Sequence, residues 1–310
     1  MVLMRYIYKY CFVFFLIIIS GKIWAQQFPQ YSQYLLNDFA VNPAVAGSNS
    51  FYEVKINQRN QWVGITDAPR TLILTLNGPF KTKNVGLGGT IYSDVVGPTR
   101  RSGSNFNYAY HLKIQKGLKL SLSLTAGIMQ FSIDGSKVTT RDPGDTYFAN
   151  QFLSSIVPGF GFSAYLYHDD YFFGLSAPQL TQKKVSFFTV DHKLNALTPA
   201  YFITGGYRFK IGDDFKIEPS VLAKYSNPAP MQFDFNARVV YKDQVWLGST
   251  IRIKDSFTGL IGFVFQQNLL VGYSYDYTFS GLRKYSSGTH EIMVGMRFVS
   301  NKKNDQSLIP

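Results

Sequence analysis

The side chains best suited to acid–base or metal chemistry are scattered along this sequence of 310 residues. Its four histidines are His111, His168, His192 and His290. None lies in a Gly-x-Ser-x-Gly or His-Glu-x-x-His motif, which would supply a nucleophile or a zinc site. His290 is followed by Glu291, but the second histidine is missing, and neighbours in a strand point to opposite faces. The histidines therefore predict neither a catalytic base nor a metal site.

The acidic and glycine-rich clusters have simpler structural explanations. The pairs at 169–170 and 213–214 are Asp-Asp in predicted turns, where Asp is favoured because it bonds the local backbone. The run 142–145 (Asp-Pro-Gly-Asp) resembles a calcium loop, but a type I turn fits it better. The Gly-rich run 86–89 precedes no helix, so it cradles no phosphate; on a strand it admits a bulky neighbour inside the fold. We therefore expect no enzyme activity, no metal and no cofactor.

Alternation with a period of two recurs along the chain and is typical of strands whose two faces meet different surroundings. In the last such stretch, 289–298, Ile292 and Phe298 share one face and Glu291 lies on the other. Pro219 donates no ladder hydrogen bond and marks a weak point or bend in its strand. The predicted strands, fourteen in all, are 51–61, 70–77, 85–93, 103–114, 118–131, 154–167, 170–177, 199–209, 215–225, 231–241, 244–253, 257–266, 268–277 and 289–298.

The connections between these strands alternate in length. Single-chain bacterial outer-membrane barrels have short periplasmic turns and longer outer loops. The predicted long set is 94–102, 132–153, 178–198 and 278–288, with short exceptions at 226–230 and 254–256. The fold class is therefore all-β: a transmembrane antiparallel β-barrel of about fourteen strands, with both termini in the periplasm.

Charged residues of both signs fall on the face that would point into the barrel. Unpaired charges are costly in a narrow interior, and a wide charge-selective pore would favour one sign. The mixture predicts a narrow or plugged lumen with salt bridges. The predicted lumen residues are His111, Lys113, Glu218, Lys224, Asp234, Arg238, Arg252, Asp276, Glu291 and Arg297.

The first 25 residues are typical of a cleaved secretory signal peptide. Basic Arg5 and Lys9 precede an apolar run, 11–19, that is shorter than the ~20 residues of a membrane-spanning helix. Cys11, the only cysteine, lies in this segment, so the mature chain would have no thiol or disulfide. The expected divisions are a signal peptide (1–25), an N-terminal periplasmic or plug segment (26–50), the barrel (51–298) and a periplasmic tail (299–310).

Composition limits the partners. The formal charge is +12, and it falls to +9 when Arg5, Lys9 and Lys22 leave with the signal peptide. The remaining basic residues are scattered rather than clustered, which argues against nucleic-acid binding. Aromatic residues make up 16% of the chain, which suits the aromatic girdles that contact lipid at both rims of a membrane barrel.

The segment before the first strand has its own pattern. Asn42 can cap a helical turn that has Pro43 at its first position. The apolar residues of the segment are predicted to pack together. Two arrangements are open: an ordered periplasmic lead-in to the first strand, or a plug inside the lumen. The residues predicted to pack together are Tyr31, Tyr34, Leu35, Leu36 and Phe39.

The same segment carries a family resemblance. Residues 26–48 (QQFPQYSQYLLNDFAVNPAVAGS) resemble the opening of the PorP/SprF family of type IX secretion membrane proteins, and later blocks at 59–71, 97–111 and 275–292 resemble further blocks of it. Phe28 and Val45 depart from residues common in the family. The matching motif residues are Gln33, Tyr34, Asn37, Asn42, Pro43, Gly47, Arg59, Gln61, Trp62, Gly64, His290 and Glu291.

The resemblance implies a non-enzymatic barrel in the outer membrane of a Gram-negative bacterium. Such a protein would support type IX secretion or gliding motility, or anchor a secreted partner at the cell surface. The implied partners are a secreted protein with a type IX C-terminal domain, other components of the secretion system, and membrane lipid. The alternative from a different class is a passive channel for small solutes.

Binding residues are expected in the two longest outer loops, because loops held on a rigid barrel commonly carry binding function. Aromatic side chains with adjacent cations favour docking of an acidic partner. The alternative is that these aromatics only fold the loops over the barrel mouth. The predicted contact residues are Tyr147, Phe148, Lys183, Lys184, Phe187 and Phe188.

Overall fold

A computed structural model describes residues 29–80, 84–138, 152–181, 198–227 and 229–299. Strands make up most of these residues, and no helix in this part of the chain is long and apolar enough to cross a membrane. The strands are β1 (Phe51–Asn60), β2 (Arg70–Pro79), β3 (Val85–Val96), β4 (Thr99–Gln115), β5 (Leu118–Asp134), β6 (Phe152–Tyr167), β7 (Tyr171–Gln179), β8 (Ala200–Tyr207), β9 (Phe209–Ile211), β10 (Phe215–Tyr225), β11 (Gln232–Tyr241), β12 (Val245–Arg252), β13 (Ser256–Phe265), β14 (Leu269–Thr278) and β15 (Thr289–Val299).

The strands close into a barrel. Each pairs with its neighbours in an antiparallel ladder, and β15 closes the ring by pairing with β1 from Phe51↔Val299 to Asn60↔His290. The short strand β9 continues β8, since both pair with β10. Counting β8 and β9 as one gives a closed barrel of fourteen strands, as the sequence predicted.

The break between β8 and β9 lies opposite Pro219. The ladder with β10 runs to Ser220↔Gly206 and resumes at Ile217↔Phe209, so the residues between these pairs are skipped. Proline has no N–H to donate to the ladder, so pairing fails at this point. The predicted weak point therefore lies in the strand next to Pro219, while β10 itself is continuous.

The two faces of each strand differ as the alternation predicted. On β1, Glu53, Lys55, Asn57 and Arg59 are buried inside the barrel, whereas Ile56 on the opposite face is exposed. The same inversion, polar inside and apolar outside, recurs around the ring. In water it would be unfavourable, but it is the arrangement of a barrel surrounded by lipid.

One predicted outer loop is wrong. A loop was predicted at 94–102, but β3 extends to Val96 and β4 begins at Thr99, so only Gly97 and Pro98 connect them. Gly97 has φ of +56°, which glycine adopts without strain, and this permits the tight turn. The other long connections keep the predicted side, and we call that side of the barrel the long-loop end and the opposite side the short-turn end.

Candidate functional site in the barrel lumen

Residues 29–50, called here the lumen segment, run through the barrel from one end to the other. At the long-loop end the Gln30 side-chain amide donates to Gln232 Oε1 at 3.0 Å. Midway, Asn37 Nδ2 donates to Asn57 Oδ1 at 2.8 Å. The segment then descends to the short-turn end, where β1 begins. Gln30 therefore lies at the opposite end of the barrel from the first residue of β1. Of the two arrangements predicted from the sequence, the described residues adopt the one inside the lumen.

Local sequence explains the compact path of the lumen segment. Two 3-10 turns, Asp38–Ala40 and Pro43–Val45, shorten it. Asn42 caps the second turn, since its Oδ1 accepts the Ala44 N–H at 3.0 Å, and Pro43 takes the first position, where no N–H is needed. The cap predicted from the sequence is present.

Glycines in the wall make room for the lumen segment. A Cβ at Gly86 would lie 1.8 Å from the Ala46 carbonyl oxygen, and one at Gly88 would lie 2.3 Å from Phe39 Cζ. The same carbonyl accepts a hydrogen bond at 2.8 Å from His111 Nε2 on the adjacent strand β4. The glycine run on β3 therefore lets the segment approach the backbone of the wall.

The apolar residues of the lumen segment do not form the single cluster that was predicted. Tyr31, Tyr34 and Leu35 share one cluster, whereas Leu36 and Phe39 belong to two others. Single 3-10 turns direct successive side chains to different sides, and the wall offers apolar positions on each side. The wall residues that meet them are Ile73, Phe202 and Leu222 for the first cluster, Val240, Trp246, Leu260, Leu270 and Met293 for the second, and Ala109 for the third.

A buried charge cluster ties the lumen segment to the seam of the barrel. Arg59 on β1 contacts Asp276 at 2.7 Å and Glu291 at 3.1 Å. Ser32 joins both carboxylates, because its N–H donates to Glu291 Oε2 at 2.7 Å and its Oγ to Asp276 Oδ2 at 2.8 Å. Arg252 extends the cluster, lying 3.8 Å from the same Asp276 carboxylate. The charges are thus paired and hydrogen-bonded, which makes their burial tolerable.

Further ion pairs line the short-turn half of the lumen. Glu53 pairs with Lys55 at 2.6 Å and with Arg297 at 2.9 Å. Across the barrel, Arg238 Nε donates to Glu218 Oε2 at 2.6 Å. Glu53 and Lys55 were not predicted as lumen residues, although they share one face of β1 with Asn57 and Arg59. Among the predicted lumen residues, Lys113 is exposed at the short-turn rim.

Two of the family-like blocks meet at the long-loop end. The Trp62 N–H donates to Thr289 Oγ1 at 3.0 Å, and the Val63 N–H donates to the Gly288 carbonyl at 2.8 Å. Glu291 points into the lumen, while His290 points outward and bonds the Tyr273 hydroxyl at 2.7 Å. The block that contains Trp62 is therefore fixed against the start of the last strand.

The remaining predicted sites are buried, partly exposed or undescribed: Gly47 and Gln61 are half-buried, and Gly64 is exposed. Gln33, Tyr34, Asn37 and Asn42 are buried in the lumen. No group of three His, Asp or Glu side chains that could hold a metal ion occurs within the described ranges. The six predicted partner-contact residues, Tyr147, Phe148, Lys183, Lys184, Phe187 and Phe188, lie outside the described residues.

A closed antiparallel barrel with an apolar outer face and a polar lumen defines an outer-membrane β-barrel protein. The sequence model of the type IX secretion system membrane protein PorP/SprF matches residues 23–296. The chain therefore belongs to the PorP/SprF family. The family and fold are those of a secretion-system or channel barrel, a class that is in general non-enzymatic.

The similarity to solved barrel structures is weaker than the match to the family model. A comparison with curated proteins gives no match. The monoaromatic hydrocarbon channel CymD is 11% identical with a TM-score of 0.49, covering 87% of this chain and 92% of its own. The Ralstonia pickettii toluene transporter TbuX is 11% identical with a TM-score of 0.48, covering 84% and 92%. Nothing about a solute or cargo follows for this chain from these values.

Proposed function

We propose that this protein is a non-enzymatic component of the type IX secretion and gliding machinery, which supports secretion of a partner or anchors it at the cell surface. Membership of the PorP/SprF family supports a role in that system. The proposed partner is a secreted protein with a type IX C-terminal domain. In the same proposal, this protein reaches the outer membrane after residues 1–25 are cleaved as a signal peptide. The barrel is a scaffold in this proposal, and its lumen is not the route of a solute.

The observation that carries the proposal is the occupied lumen. The lumen segment contacts β1, β6 and β15 through hydrogen bonds donated by Asn37, Asn42 and Ser32, and it contacts β4 through the bond that the Ala46 carbonyl accepts from His111. The separate cavities left between the described part of the segment and the wall hold only about 20 to 80 Å³ each. A passive channel needs a continuous water path, which this packing does not favour. The segment thus acts as a plug in the proposed function.

Single-channel recording in planar bilayers tests the plug. The wild-type barrel is expected to show little steady conductance, and deletion of residues 26–48 is expected to raise it. A milder variant, Gly86→Ala, should also raise conductance, because its Cβ would collide with the Ala46 carbonyl. Gly259→Ala is the matched control, since nothing lies within 4 Å of its Cβ. Large, steady conductance of the wild-type protein would favour the passive channel instead.

The predicted loop contacts give a second test, in cells. Replacing Phe187 and Phe188 by Ala should release the secreted partner from the surface into the medium, with barrel levels unchanged. Tyr147 and Phe148 should behave in the same way, because aromatic anchors contribute much of the binding energy at protein interfaces. Full retention of the partner by all four variants would remove these loops from the proposal.

A further inference from the structure

A cavity of about 440 Å³ lies at the long-loop end of the lumen, beyond the point where the lumen segment begins. This volume is within the ~300–1,000 Å³ of typical ligand pockets. Its walls are the loop after β1, the connections after β10 and β12, and Gln30 of the lumen segment. We call it the outer vestibule. It is a concave site with a packed lumen beneath it.

Trp62 gives the outer vestibule an aromatic wall that is held in place. Its backbone has φ of 48°, a left-handed conformation that bulky residues rarely adopt. Two hydrogen bonds fix this loop against β15: the Trp62 N–H donates to Thr289 Oγ1, and the Val63 N–H donates to the Gly288 carbonyl. Met231 and Phe233 line the same cavity. Residues kept in costly backbone conformations by their surroundings are concentrated at binding sites.

Amide side chains supply the polar part of the wall. Gln30, Gln61 and Gln232 all line the cavity. The Gln30 amide donates to Gln232 Oε1 at 3.0 Å, which orients both side chains. Each carboxamide has an N–H donor and a C=O acceptor. A peptide group has the same two kinds of group, so the two can form paired hydrogen bonds. The wall therefore suits the backbone of an extended peptide.

The vestibule also carries an excess of positive charge. Asp255 lines it, but this carboxylate already lies 3.4 Å from Arg252. Lys254 is exposed in the turn beside it and forms no salt bridge within the described part of the chain. Lys224 also lines the wall. Charge complementarity therefore favours a ligand with carboxylates.

We propose that the outer vestibule binds an acidic, extended peptide segment of the secreted partner. Trp62 packs against an apolar side chain of this segment, the glutamine amides bond its peptide groups, and Lys254 pairs with its carboxylates. The inference rests on the proposed function. It adds the residues of the outer vestibule, such as Trp62 and Lys254, to the docking site predicted in the outer loops. A saccharide would use the aromatic wall and the amides, but a neutral one would leave Lys254 without a partner.

Fluorescence anisotropy with the purified protein in detergent tests the inference. The probe is a short labelled peptide of aspartates around one tyrosine, and the comparison peptide has asparagine at each aspartate. The aspartate peptide should bind about tenfold more tightly, a difference of ~1.4 kcal/mol, and its affinity should fall as salt is added. Lys254→Ala should abolish that preference, Lys254→Arg should keep it, and Trp62→Ala should weaken binding roughly 30-fold, as for a hot spot.

Lys242→Ala is the matched control. Lys242 also lies in a tight turn with positive φ, but at the short-turn end, where it pairs with Asp214 at 3.7 Å. Its removal should leave peptide binding unchanged. Equal binding of the two peptides, equal effects of Lys254→Ala and Lys242→Ala, or displacement of the peptide by a neutral maltooligosaccharide would each overturn the inference.

A cellular experiment separates this inference from the proposed function. Deleting the gene should abolish secretion or surface retention of the partner, and Trp62→Ala with Lys254→Ala should reduce it. If the deletion has the effect and the double variant does not, the proposed function stands and the vestibule inference falls. If the deletion has no effect, the proposed function itself falls, whatever the peptide measurements show.

Discussion

Arg59 shows how a single residue organises the interior. It is among the largest fully buried side chains, and it joins β1 to carboxylates on β14 and β15 and to Ser32 of the lumen segment. Moving a charge out of water costs several kcal/mol. Only close oppositely charged partners and further hydrogen bonds offset this cost. Asp276 and Glu291 supply those partners. The cluster therefore specifies which strands meet at the seam and where the lumen segment sits.

Replacing Arg59 by Ala should destabilise the barrel by about 3–5 kcal/mol, because it leaves buried carboxylates without their partner. The measurement is the urea midpoint of unfolding, followed by gel migration of the unboiled protein. Lys210→Ala is the control: its pair with Asp170, at 3.6 Å, is exposed, and loss of such a pair costs about 1 kcal/mol or less. Equal midpoints for the two variants would contradict this account of the cluster.

At the scale of elements, the lumen segment is held at both ends and along its length. Gln30 bonds the start of β11 at the long-loop end, while Ala46 bonds β4 towards the other end. Gly47, with φ of +76°, then turns the chain towards β1. In outer-membrane barrels short turns face the periplasm. The start of the lumen segment therefore faces the outside of the cell.

Cysteine labelling of intact cells checks this direction. The only cysteine, Cys11, lies in the predicted signal peptide, so an introduced thiol would be unique in the mature chain. Gln30→Cys should react with an external polyethylene-glycol maleimide that is too large to pass through porins, because Gln30 lines the outer vestibule. Lys116→Cys, in the short turn between β4 and β5, should react only after the outer membrane is permeabilised. The reverse pattern would refute the assigned direction.

At the scale of the whole molecule, stability comes from closure. The pairing of β1 with β15 leaves no free sheet edge, so the backbone groups of the described strands pair around the ring. In lipid this matters more than in water, because an unpaired N–H or C=O has no other partner. The lumen segment then fills the interior with both apolar and charged contacts. The barrel and its contents therefore stabilise each other.

Closure predicts heat-modifiable migration in detergent gels. The unboiled protein should run as a compact band, and boiling should shift it to its full apparent mass, because the closed ladder resists detergent until it is heated. A truncation before Thr289 removes β15 and the seam, so it should run at the unfolded position without boiling. Identical migration of the boiled and unboiled full-length protein would count against a closed barrel.

The sequence by itself determined the strands and the inward direction of their charges, because period-two alternation records which face of a strand meets lipid. It also predicted the Asn42 cap, which depends only on neighbouring residues. Only the tertiary structure showed the contacts between residues that are far apart in the chain, because no local sequence pattern encodes them. In the folded barrel Arg59 contacts Asp276 and Glu291 across the seam. Strands β3 and β4 extend through the loop predicted at 94–102. The lumen segment begins at the long-loop end and passes through the barrel to β1. These depend on contacts between residues that are distant in the chain, and closure of the ring is what brings them together.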